Sequence, residues 1–275
     1  VFAADLDGDG DMDALSVSYN TNAIYWHEND GSENFTQHII STTIVHGNDI
    51  YAVDLDGDGD MDVLSGSDDQ HNSNLVWYEN DGSESFTEHE INSTGQGPNE
   101  IYVVDLDGDG DMDVLTAWSY YRIAWYENNG SESFTEHVIS TAAAGGRSVF
   151  AADVDGDGDI DLLTASFEDD KIAWYENNGS ESFTTHVISF AADGAQDVYA
   201  ADVDGDGDID VLSASYNDDK IAWYENNGSE SFTERIISTA DNNPYAVYAV
   251  DMDGDGDMDV LTDISWYVND GNQDF

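Results

Sequence analysis

One nonapeptide, Asp-x-Asp-Gly-Asp-Gly-Asp-x-Asp, occurs six times in this chain, beginning at Asp5, Asp54, Asp105, Asp153, Asp202 and Asp251. The starts lie roughly 49 residues apart, within the 20–50 residue periods of solenoids, propellers and arrays, where each repeat buries its apolar face only by stacking on its neighbours. The rest of the chain keeps the same phase. A short β-prone run precedes each nonapeptide, as in Val198-Tyr199-Ala200-Ala201, and an alternating run follows it, as in Val211-Leu212-Ser213-Ala214-Ser215. After a variable polar segment comes a third run, Ile221-Ala222-Trp223-Tyr224, β-branched and aromatic as strands prefer. Glu225-Asn226-Asn227-Gly228-Ser229 then supplies a hairpin turn, because Asn-Gly tolerates positive φ. A fourth run, Phe232 to Ile237, closes the unit, and no segment reads as a helix.

Four short antiparallel strands repeated radially make a propeller blade. The fold expected is therefore all-β, a six-bladed β-propeller of four-stranded antiparallel blades forming one domain over residues 1–275. The third strands carry the bulk for blade-to-blade packing, as Trp26, Trp77, Trp125, Trp174, Trp223 and Trp266. A β-solenoid is the rival, but its coils are usually shorter and lack tight Asn-Gly hairpins. Phe275 aligns with Phe35 at the start of a fourth strand, so the sixth blade is expected to lack its outer strand.

The nonapeptides carry the chemistry. Calcium takes six to eight oxygens in a flexible shell, and alternating aspartates on a tightly curled loop deliver them from every second position. In the first loop Asp5, Asp7, Asp9 and Asp13 are assigned as side-chain ligands, with a bidentate last carboxylate, and Asp11 as a ligand through its backbone carbonyl. The equivalent sets are Asp54, Asp56, Asp58, Asp60 and Asp62; Asp105, Asp107, Asp109, Asp111 and Asp113; Asp153, Asp155, Asp157, Asp159 and Asp161; Asp202, Asp204, Asp206, Asp208 and Asp210; and Asp251, Asp253, Asp255, Asp257 and Asp259. About six calcium ions are expected. An EF-hand would need Glu at the twelfth position, where this chain has Ser16, Ser65, Thr116, Thr164, Ser213 and Thr262, and helices at its flanks. Magnesium resists so dehydrated a cage.

The run from Val198 to Leu212, followed by Trp-Tyr-Glu-Asn-Asn-Gly and Phe-Thr, resembles the FG-GAP/VCBS repeat family. Those repeats form the calcium-bearing propeller of integrin α-subunits and of many bacterial secreted proteins. The resemblance spans essentially the whole chain. It implies a propeller, bound calcium and an extracellular setting, secreted or at the cell surface, without naming a ligand.

Charge narrows the function further. With 61 acidic residues against 5 basic ones the net charge is -56, which strains a compact fold unless counterions sit in it or the medium is salty, so a bacterial, marine or halophilic source fits. Arg122, Arg147, Lys171, Lys220 and Arg235 read as scattered singly, which excludes nucleic acid. No apolar run approaches a membrane span. No repeat holds a unique nucleophile, base and orienting acid, so the chain reads as a non-enzyme. The expected role is an adhesion or interaction scaffold for a protein ligand. The alternatives are a calcium-dependent carbohydrate-binding module or a non-catalytic accessory domain of a secreted polysaccharide-active enzyme. Binding is placed where repeats differ, in the variable segments Tyr19 to Asn22, Asp68 to Asn74, Trp118 to Arg122 and Glu168 to Lys171, with Tyr120, Tyr121 and Arg122 as the ligand candidates. Trp118 aligns with Tyr19, Phe167 and Tyr216 and reads equally well as repeat packing. His38, His89, His137 and His186, repeated in the fourth strand, read as structural.

Overall fold

The computed structural model describes residues 1–32, 34–67, 74–93, 97–131, 133–271 and 275. Among these, every regular element is a β-strand, and the strands form six antiparallel sheets, five of four strands and the last of three. This is the sheet content of a six-bladed propeller. In each sheet the strands lie in chain order, so every connection is a hairpin between neighbours. The fifth sheet is typical, with strands Ala195–Ala201, Asp210–Ser215, Lys220–Asn226 and Phe232–Ser238. Its register sets Leu212 opposite Tyr199 on one side and Trp223 on the other. The nonapeptide joins the first strand to the second.

Second strands explain why sheets stack. In the second to fifth sheets they are buried along their whole length, although their second halves are mostly Ser, Thr, Gly or Ala, because both faces are covered. The chain divides into two compact units, Val1–Ser140 and Thr141–Phe275. In the first, Trp26 of the first sheet packs with Ile50, Ala52, Val63 and Val76 of the second. In the second, Trp174 of the fourth sheet packs with Val198, Val211 and Tyr224 of the fifth. Each such indole is a ridge that seats one sheet on the next, worth several kcal/mol of apolar burial.

Trp26, Trp77, Trp125, Trp174 and Trp223 are at most 1% exposed, whereas Trp266 is 47% exposed. The difference lies in the fourth strand. His38, His89, His137 and His186 stack on the first four indoles at 4.5–4.6 Å between ring centroids. Each also pairs, at 2.7 Å, with a third-strand glutamate. Arg235 does the same over Trp223 and against Glu225. The sixth sheet ends at its third strand, Trp266–Tyr267, and has no such cover among the described residues.

Candidate metal centre

Each nonapeptide curls by turning its own carboxylates on its own backbone. In the fifth loop Gly205 and Gly207 donate their N–H groups to the two oxygens of Asp202, at 2.8 and 3.0 Å. Asp206 donates to Asp204 and Asp208 to Asp206, at 3.2 and 2.9 Å. The second, third, fourth and sixth loops repeat the ladder. Gly205 and Gly207 have φ of +75° and +98°, and a Cβ on either would meet nothing within 4 Å. Conformation, and not space, requires glycine there.

The curl leaves carboxylate oxygens converging. Oxygens of Asp5, Asp7 and Asp9 lie within 4.8 Å of one another, as do those of Asp54, Asp56 and Asp58 and of Asp202, Asp204 and Asp206. In the third and fourth loops the groups are Asp105, Asp107 and Asp113, and Asp153, Asp155 and Asp161. Burial, with repulsion from neighbouring aspartates, holds Asp7, Asp56, Asp107, Asp155 and Asp204 above the usual carboxylate range. One Asp5 oxygen is buried without a hydrogen-bond partner. An all-carboxylate pocket with an orphaned oxygen and no cationic side chain paired to it among the described residues fits a hard, oxygen-seeking cation such as calcium.

The seventh and ninth aspartates have further partners outside the loop, and in the third and fourth loops the ninth also belongs to the convergent group. The seventh turns its carboxylate onto the hairpin of its own sheet: a Cβ on Gly228 would lie 2.5 Å from Asp208 Oδ2, and Gly31, Gly82, Gly130, Gly179 and Gly271 meet their loops at 2.3–2.5 Å. The hairpin glycine thus serves positive φ and close approach together. The ninth is a buried buckle. Asp210 accepts the Val203 N–H at 3.1 Å and the Asn226 N–H at 2.7 Å, tying loop, second strand and third strand, and Asp62, Asp113 and Asp161 do likewise. Burial pushes Asp62 and Asp210 to about 7 and Asp113 and Asp161 to about 6.

Two sets of residues act here that composition and motif did not mark. Asn226 donates to the carbonyls of Ile209 in its own loop and Val154 in the loop of the preceding sheet, at 3.0 and 3.2 Å. Asn80, Asn128 and Asn269 make the same pair of bonds. The Asn-Asn-Gly run reads as a turn, yet its first Asn staples adjacent loops; its recurrence in every repeat is the signal. A cavity of about 80 Å³ lies between the fourth and fifth loops beside Asn226. Asp49 and Asp197, half-buried in first strands, accept N–H groups from the next sheet's first strand, Ile101 and Val247, both at 2.8 Å.

The ligand candidates separate. Tyr120 and Tyr121 are 56% and 51% exposed. Arg122 does not join them: its guanidinium lies over Trp118 and pairs with Glu136. Trp118 is fully buried, as repeat packing requires. Tyr121 has φ of +64° at the place where other sheets put Asn22, Asp170 and Asp219, types that tolerate the left-handed region better than a bulky aromatic. Of the segment Asp68 to Asn74, residues 68–73 lie outside the described residues. Three of the five cations are not scattered either, since Arg122, Lys171 and Lys220 share one repeat position, each on a third strand opposite the last residue of the second.

The chain is similar in fold to several solved structures: BBS1N in complex with ARL6DN (12% identity, TM-score 0.57, 95% of this chain and 86% of that one), the V. cholerae biofilm matrix protein Bap1 (19%, 0.56, 90% and 40%), and a functionally unknown protein from Desulfotomaculum acetoxidans (15%, 0.62, 91% and 72%). This chain thus spans well under half the length of Bap1. A comparison with characterised protein sequences finds no significant match. The model of the FG-GAP-like repeat matches residues 5–65, 54–116, 105–164, 153–213 and 202–262, each match running from one aspartate loop through the next. With those matches overlapping from Asp5 to Thr262, the chain belongs to the FG-GAP-like repeat family.

Proposed function

We propose that this chain is a calcium-loaded, non-enzymatic interaction scaffold that works outside the cell, secreted or on its surface, and holds about six calcium ions. The observation that carries the reading is the repeated loop: converging carboxylate oxygens, glycines at positive φ and a hairpin glycine pressed on the seventh aspartate recur from sheet to sheet. When bound, calcium would be held by the first, third and fifth aspartates with the seventh carbonyl and the ninth carboxylate. It would supply positive charge and rigidity, lowering the formal charge from -56 to about -44. Metal analysis and titration calorimetry test this, with about six ions expected and two or fewer refuting it. The six sheets are proposed to unfold as one domain, which a single thermal transition in saturating calcium would support and two separated transitions would overturn.

A protein ligand is favoured by one structural neighbour, BBS1N, being seen in complex with ARL6DN, and a matrix role by another, Bap1. No helix among the described residues is long and apolar enough to cross a membrane. Tyr120 and Tyr121 favour a second reading, a calcium-dependent carbohydrate platform, because an exposed aromatic held in the left-handed region costs stability without returning core packing. Calcium-dependent binding on a glycan array, lost on changing both tyrosines to Ser, separates this reading from the protein scaffold.

A further inference from the structure

We infer that the cavity between the second sheet and the segment leading into it, Thr43 to Val45, is a binding site for a primary ammonium group, the place where other sheets insert a lysine or arginine of their own. The position opposite the last residue of the second strand is Arg122, Lys171 and Lys220 in the third, fourth and fifth sheets, Ala23 in the first, and Asn74 in the second.

Lys220 shows what the position does. Its side chain is 7% exposed, and its ammonium donates to the Ala191 carbonyl and to Glu234, at 2.5 and 3.0 Å, with Asp218 at 3.4 Å. Lys171 donates to the Ala142 carbonyl and Asp169, and Arg122 pairs with Glu136. The carboxylate partner follows the cation. Where the first sheet has Ala23 its fourth strand has Gln37, and where Lys171 uses Asp169 the fourth strand has Thr185. Among the described residues the second sheet breaks this match. It keeps the carboxylate, Glu88, facing Tyr78 as Glu234 faces Tyr224, but carries Asn74 where the cation belongs.

A cavity of about 60 Å³ lies there, lined by Thr43, Ile44, Asn74, Val76, Tyr78 and Glu88 among others. Thr43 aligns with Ala191 and donates its hydroxyl to Glu88 at 2.5 Å. The space equals roughly two waters' share of liquid volume, enough for an ammonium on a short carbon stem. Its apolar walls, Ile44 and Val76, suit a stem, while Glu88, the Tyr78 oxygen and the Thr43 backbone offer the acceptors that an ammonium's three N–H groups need. A hard metal ion would need about six oxygens, which one carboxylate between aliphatic walls does not supply. Glu88 is exposed, so binding is expected in the millimolar range.

The test is thermal melting and NMR titration of the calcium-saturated chain with ethylammonium chloride, against sodium chloride and tetramethylammonium chloride at equal ionic strength. Ethylammonium alone should raise the melting temperature and shift resonances of Thr43 and Tyr78. Asn74→Lys should raise the melting temperature by itself and abolish the response, and Glu88→Gln, an exposed change, should abolish the response with the fold intact. Equal effects of the three salts would overturn the proposal. So would a response that survives in either variant, or a lower melting temperature for a folded Asn74→Lys chain.

Discussion

Asn226 and Asn227 are adjacent asparagines in one turn, and the structure gives them unequal work. Asn226 is 3% exposed. Its Nδ2 donates to Val154 and Ile209, and its Oδ1 accepts the Gly228 N–H at 3.2 Å. Asn227 is exposed and accepts one N–H, from Ser229, at 3.0 Å. Each net hydrogen bond is worth about 1 kcal/mol, and buried acceptors left unpaired add to the loss. Asn226→Ala should therefore cost about 3 kcal/mol or more, and Asn227→Ala under about 1 kcal/mol. Urea unfolding at saturating calcium measures both, read as a midpoint change at constant slope. Asn226→Asp sharpens the contrast, because a carboxylate would face two carbonyl oxygens and should cost at least as much as Ala. An Asn226→Ala cost no greater than that of Asn227→Ala would mean that the loop-to-loop staple contributes nothing.

Trp174→Ala removes the indole seated between the fourth and fifth sheets and should cost about 3–5 kcal/mol, measured by the same unfolding assay. Gly228→Ala should cost more than Gly205→Ala, and should weaken calcium binding at its loop. Both positions have positive φ, worth about 1–2 kcal/mol against Ala, but only at Gly228 does the new Cβ meet Asp208; calorimetry on both variants checks this. Burial holds Asp197 at about 6, against 3.8 for a free carboxyl. The native state thus binds this proton more tightly than the unfolded chain, and the stability it contributes is present below pH 3.8 and lost as pH rises through 6. Relative to Asp197→Asn, the wild-type chain should lose stability between about pH 4 and 7 and change little outside that window. A difference that stays constant with pH would refute this.

The sheet order, hairpins and loops were legible in the sequence because they are local. A nonapeptide with two glycines, an alternating run and an Asn-Gly turn each act within a few residues, and six copies in phase leave little freedom for anything but a ring or stack of small antiparallel sheets. The three-stranded sixth sheet and the burial of Trp118 follow from the same alignment. What sequence could not rank was the use of identical residues. Five aspartates per loop read as one ligand set, and the structure adds a second task to two of them: in the fifth loop Asp202, Asp204 and Asp206 converge, Asp208 also presses on a hairpin glycine, and Asp210 also buckles the loop to the second and third strands. Arg122 read as a surface partner for Tyr120 and Tyr121 because charge next to aromatics looks exposed in one dimension; the strand register turns it inward onto Trp118 and Glu136. Local patterns determine which strands form and where the chain curls. Only packing between sheets decides which oxygen faces a neighbour's backbone and which is left for a cation, since those partners lie about fifty residues or more away along the chain.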